Sequence, residues 1–161
     1  MKVKMLAAAA AMGISLVAAG AAQAQTGNIP NGGVTIQDVR TFLLNKGFKA
    51  EIKSGSTGQY IDSASGGVNF SVYMYDCHTG NRCASVQFSA GFDLNQGMTA
   101  GKINEWNRDK RYLKAYVDSE GDPYVQFDVN TSPGRTWTGF NDDFGVWVDI
   151  LASFTQFIGW R

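Results

Sequence analysis

The chain has 161 residues, 44% of them apolar, with 14 basic and 14 acidic side chains, two cysteines and one histidine. This describes a single soluble domain with a small catalytic inventory, and its zero net charge offers no field to attract nucleic acid. The first 24 residues distort the average: they hold 18 of the roughly 71 apolar positions and both Lys2 and Lys4, so residues 25–161 carry a formal charge of −2 and all 20 aromatic side chains.

Residues 1–24 open with Lys2 and Lys4, run uncharged through an alanine-rich stretch containing Leu6, Ile14, Leu16 and Val17, and close on Ala22-Gln23-Ala24. A basic start, an apolar centre and small residues at the −3 and −1 positions form the layout of a secretory signal peptide. They predict cleavage after Ala24 and a periplasmic or secreted product. On this reading the chain meets a membrane only through the leader before cleavage. The alternative is a retained anchor, because about 20 uncharged residues suffice to span a bilayer. Residues 25–33 lack periodicity and are expected to form a flexible N-terminus, with the folded domain over 34–161.

Thr35 is placed to cap a helix over 36–46, with Asp38 at the third helical position and Gly47 as the stop. Alternation of Phe48, Ala50 and Ile52 with Lys49, Glu51 and Lys53 predicts a strand over 48–53. Further strands follow near 59–64, up to Cys77, and from Cys83 to about Phe92, separated by Gly/Ser turns. Thr99 caps a short helix over 100–107. A hairpin pairing Val117 with Val125 follows, and a long helix carries Phe140, Phe144, Trp147, Val148, Leu151, Phe154 and Ile158 on one side, with Thr138 as its cap. The expected class is α+β: an antiparallel four-strand meander plus a second hairpin, with N-terminal, short middle and long C-terminal helices.

The hairpin register that sets Cys77 opposite Cys83 also sets Tyr75 opposite Ser85, Met74 opposite Val86 and Val72 opposite Phe88. One face becomes apolar and the other polar and tyrosine-bearing, so the binary pattern selects the pairing that brings the cysteines together. In an exported protein the pair reads as a disulfide, contributing about 2–3 kcal/mol at most for so short a loop. Cys77, His78 and Cys83 could otherwise supply three metal ligands. Oxidation consumes both thiols, so no metal site is expected. No Walker loop, dinucleotide fingerprint, paired-histidine motif or Gly-x-Ser-x-Gly elbow occurs, and no cofactor is expected. The acidic run Asp118-Ser119-Glu120-Gly121-Asp122 is too short for an EF-hand and reads as a hairpin turn. Tyr73, Tyr75, Tyr112, Tyr116 and Tyr124 are all expected on the face opposite the core, where tyrosines among small polar residues make a recognition surface.

The stretch from Ile103 to Asn130 resembles the YbjN domain family of bacterial sensory transduction regulators. Its marks are Asn104, Trp106, Asn107 and Arg108, the pair Arg111-Tyr112, the Asp118–Asp122 turn and Asp128. The resemblance covers residues 34–158 and implies a fold like that of type III secretion chaperones. It also implies an exported subgroup with a paired-cysteine hairpin, and no catalytic residues. The motif has an architectural account: Trp106 anchors the short helix to the sheet, and Asn104 or Asn107 satisfies backbone groups where the helix turns into the next strand.

The expected function is that of an exported, non-enzymatic binding or chaperone-like module. It would recognise a protein or peptide through the tyrosine face or an adjacent groove, and a homodimer is admitted. A small-molecule sensor is the alternative and requires a deep apolar pocket beside Trp106. A small hydrolase is the third reading. It requires two of Glu105, Asp109, Asp118, Glu120, Asp142 and Asp143 to converge in a cleft.

Overall fold

Period-two alternation gives each strand one apolar face, and the fold satisfies all of those faces with a single layer of helices. The computed structural model describes residues 25–78 and 80–160. In chain order the elements are α1 (Ile36–Asn45), β1 (Glu51–Gly55), β2 (Gly58–Ser65), β3 (Val68–Cys77), β4 (Cys83–Gly91), α2 (Ala100–Asp109), β5 (Lys114–Val117), β6 (Pro123–Asn130) and α3 (Trp137–Ile158). The strands form one antiparallel sheet in the order β1-β2-β3-β4-β6-β5. The four-strand meander and the second hairpin thus join, with β6 lying beside β4. The class is α+β, as the sequence predicts. The expected leader lies outside the described residues. Among those described, no helix is long and apolar enough to cross a membrane.

The helices begin where local chemistry dictates. Thr35 accepts from the Asp38 amide while Asp38 accepts from the Thr35 amide, a reciprocal capping box, and Thr99 accepts from the Lys102 amide. The cap of α3 is Thr136 rather than Thr138: the Thr136 hydroxyl accepts from the Gly139 amide at 3.0 Å. The reason is Trp137, which extends the buried stripe by one turn ahead of Phe140. The buried set is Trp137, Phe140, Phe144, Trp147, Leu151, Phe154 and Ile158, and Val148 is only half-buried.

Phe88, at the centre of β4, stacks on Trp147 at 5.7 Å and meets Phe140 and Phe144 at 6.2 and 5.7 Å. From β3, Phe70 meets Trp147 edge-on at 5.6 Å. Phe42 ties α1 to Phe140 and Phe144, and Trp106 ties α2 to Phe154 and Phe157. All three helices therefore pack on the same face of the sheet. Each fully buried ring contributes about 2–3 kcal/mol of transfer free energy, so this cluster is the main favourable term holding the layers together.

The first hairpin adopts the register read from the sequence, and Cys77 and Cys83 are disulfide-bonded. The second hairpin does not. Tyr116 faces Tyr124 and Ala115 faces Val125, a slip of two residues from the expected pairing. A slip of two leaves every side chain on its expected face, so binary patterning cannot detect it. Turn chemistry decides. The Asp118 carboxylate accepts from the amides of Glu120 and Asp122, the Asp118 amide donates to the Asp122 carbonyl, and Gly121 takes a φ of 87°. This closes a three-residue loop with its glycine in the left-handed region.

Residues 25–33, expected to be flexible, are instead tied to the domain. Ile29 is buried, its amide donates to the Arg135 carbonyl, and Val34 forms a bridge with Cys83. Arg82 clamps the strap by donating to the Gly33 carbonyl and pairing with Asp38. Gly33, with a φ of 95°, lies so close to the Cys83 carbonyl and the Thr131 hydroxyl that any Cβ there would collide with both. Gly33→Ala should therefore cost about 2 kcal/mol or more in urea denaturation. Gly27→Ala, which keeps a positive φ but meets open space, should cost less. Equal costs for the two would contradict the docked strap.

Candidate functional site

With the helices on one face, the other face of the sheet is left to its own side chains. Tyr60 and Tyr73, neighbours on β2 and β3, approach at 5.5 Å, and Tyr116 and Tyr124, on β5 and β6, stack at 5.2 Å with planes only 10° apart. Each pair leans on a glycine. The Tyr60 ring lies over Gly55, and the Tyr124 ring crosses Gly91 so closely that a Cβ there would strike it. A ring laid across a glycine restores the packing that strand position lacks. Between the two tyrosine pairs runs a polar strip in which Gln87 donates to Asp128 at 2.8 Å, and Gln126 reaches Ser89 and the Tyr116 hydroxyl.

Tyr73 and Tyr124 are half-buried on this face, Tyr116 is 36% exposed, and Tyr75, beside Ser85, is 47% exposed. Burial, with the nearby Tyr124, Asp118, Tyr73 and Tyr75 adding to it, holds the Tyr116 hydroxyl above its ordinary pKa. It therefore stays protonated at neutral pH, able to donate as well as accept. Tyr112 does not join the set. A φ of 76° turns the chain before β5 begins, and its ring lies edge-on to the core residue Phe127 with the Arg111 guanidinium over it. Tyr60 is the member that sequence reasoning missed. Its signal was present, since Tyr60 and Asp62 alternate with Ile61 and Ser63.

Beside Tyr60, Asp62 accepts from both Lys49 and Lys53, at 2.9 and 2.8 Å, and Glu51 lies 3.5 Å from Lys49. Hydrogen bonds from the two lysines hold the Asp62 carboxyl below its usual pKa and raise those of Lys49 and Lys53.

The residues singled out between Asn104 and Arg111 divide by role. Trp106 is buried against Phe154 and Phe157. Asn107 donates to the Ala115 carbonyl and accepts from the Ala115 amide, both at 2.9 Å, so its side-chain amide pairs with the outer edge of β5 as another strand would. Asn104 is exposed, Arg108 pairs with its neighbour Asp109, and Arg111 covers Tyr112. His78 is an exposed turn residue whose amide donates to the Arg82 carbonyl.

Trp106 packs against the rings of Phe154 and Phe157, and two cavities open at other places in the fold. One of about 300 Å³ opens by the disulfide, lined by Ile36, Thr57, Gln59, Met74, Cys77 and Cys83. Another of about 250 Å³ lies between α1 and the start of α3, against Phe42 and Trp137. Of the six candidate carboxylates, Glu105 pairs with Lys102, Asp109 with Arg108 and Asp143 with Arg135, while Asp118 organises its turn. Burial raises the Asp143 pKa against the opposing pull of Arg135. Glu105 and Asp109 both lie on α2, one turn apart, while Asp118 sits in the β5–β6 turn and Asp143 near the start of α3.

The family model YbjN, described as "Putative bacterial sensory transduction regulator", matches residues 35–158. The chain belongs to the YbjN family. No curated protein and no solved structure was found to match it. The YbjN match runs from the α1 cap to the last residue of α3 and so includes both tyrosine pairs and the Asn107 clasp.

Asp62 supplies a pH test. Its folded pKa is depressed, so the stability it contributes is fully present above the unfolded value of about 4 and is lost as pH falls through the lower folded value. Asp62→Asn should lower the thermal midpoint at pH 7, and the gap to the parent protein should close as pH falls below the unfolded value and through the lower folded one. A gap that persists unchanged in acid would contradict the two-lysine clasp.

Proposed function

We propose that this YbjN protein is an exported, non-enzymatic module that binds a protein or peptide partner on the tyrosine-bearing sheet face. The observation that carries the reading is the pair of tyrosine pairs flanking a polar strip on the face that none of the described helices covers. Such a surface offers flat apolar area, hydroxyls and amides at low conformational cost, which suits adaptable recognition of a polypeptide. The rings are held by each other and by their glycine seats, so little ordering remains to oppose binding. Export is supported by the layout of residues 1–24 and by a disulfide of the kind that persists in oxidising compartments. A sensory role then lies in capturing a partner outside the cytoplasm. The cavity beside Met74 and the disulfide favours a second reading, a small-molecule sensor using an apolar floor with an amide rim.

A photo-reactive residue at Tyr75, introduced in cells, should give a discrete adduct. The same residue at the exposed Asp149 of α3 should give none. Combining the label with Tyr73→Ser and Tyr116→Ser should reduce the adduct about tenfold or more while the thermal midpoint stays close to that of the parent. Undiminished crosslinking in the serine variant, or equal adducts at Asp149, would sink the proposal. Titration of the denatured, unreduced protein from the envelope should find no free thiol, and two thiols would contradict export with an intact disulfide.

A further inference from the structure

The two edges of the sheet are treated differently. The outer side of β5 is occupied by the Asn107 amide, whereas β1 pairs with β2 and has no neighbour on its other side among the described residues. An unpaired edge strand presents backbone donors and acceptors ready for another strand, and its side chains decide what fits. In β1, Ile52, the second of its five residues, is half-buried, and Glu51 and Lys53 on either side are exposed and, by alternation, lie on the tyrosine-bearing face.

We infer that β1 is the contact of a homodimer in which two copies join antiparallel about a two-fold axis at Ile52. That register sets Ile52 against Ile52 of the second copy, Glu51 against its Lys53, and Lys53 against its Glu51. The charges complement twice, once on each side of the axis, and opposite charges directly across an antiparallel pair are stabilising. Centring the axis on Glu51 or on Lys53 instead places a charge against itself. Because the axis runs perpendicular to the sheet, the helix layers of both copies fall on one side. The two Tyr60–Tyr73 pairs fall on the other, forming one extended surface. A five-residue strand buries little area, so the association is weak and sensitive to salt.

Sedimentation equilibrium of the full protein in low salt, from about 10 µM to about 1 mM, tests this independently of any partner on the tyrosine face. The expected result is a reversible monomer–dimer equilibrium that higher salt weakens. Glu51→Lys and Lys53→Glu should each loosen the dimer about tenfold, because each sets like charges opposite one another twice. The double swap, Glu51→Lys with Lys53→Glu, should return the dissociation constant to within about twofold of the parent. Glu51→Lys leaves the Lys53–Asp62 bond in place, and thermal midpoints measured on all variants separate folding from association. A protein that stays monomeric at 1 mM overturns the inference. So does a dimer indifferent to either single change, or one that the double swap fails to restore.

Discussion

The structure depends on the aromatic contact between the centre of the sheet and α3, where Phe88 stacks on Trp147 and meets Phe140 and Phe144. Because that contact fixes the long helix on one face, α1 and α2 can bury their own rings only by packing against α3 from either flank, through Phe42 and Trp106. A sheet covered on one side leaves the other in water, and the composition of that second face is then free of core constraints. Here it holds serines, amides, acids and two tyrosine pairs. The proposed binding surface and the core thus lie on opposite faces of the same strands.

The exposed face is nevertheless shaped. Tyr124 requires the bare backbone at Gly91, and Tyr60 leans on Gly55, so two positions that would weaken a strand become seats for rings. At one margin Asn107 substitutes for a neighbouring strand. At the other, two lysines share one carboxylate and a free edge remains. The disulfide closes the hairpin tip where the N-terminal strap docks, and Arg82 joins the two through Gly33 and Asp38. The hairpin tip and the strap over residues 25–34 are therefore a single mechanical unit.

Much of this was legible in the sequence because period and capping are local signals. The order of all nine elements, the Thr35 capping box, the Cys77–Cys83 register and the α3 stripe each follow from residues near one another in the chain. What escaped depended on longer range or on finer chemistry. The two-residue slip at Tyr116 and Tyr124 preserves the binary pattern and is fixed only by the Asp118 turn. The docking of Ile29 needs Arg135, more than 100 residues away, and the departure of Tyr112 from the open face needs a positive φ that no alternation announces. Strand parity places Tyr73, Tyr75, Tyr116 and Tyr124 on one face, and the alternation of Tyr60 and Asp62 with Ile61 and Ser63 carries the same signal for Tyr60. The sequence offers Asn104 or Asn107 to satisfy backbone groups where α2 turns into β5, and Asn107 takes the role. Its pairing with Ala115 gives that role its geometry.

On the function proposed, the tyrosine-bearing face is vacant in the isolated protein and covered by a partner where the protein works. Hydroxyl-radical footprinting, done on the purified protein and on intact cells, measures this directly at each ring. Tyr73, Tyr75, Tyr116 and Tyr124 should react in the purified protein and be protected in cells, while exposed side chains on the outer side of α3 should react equally in both. Equal reactivity of the four tyrosines in the two settings would contradict it.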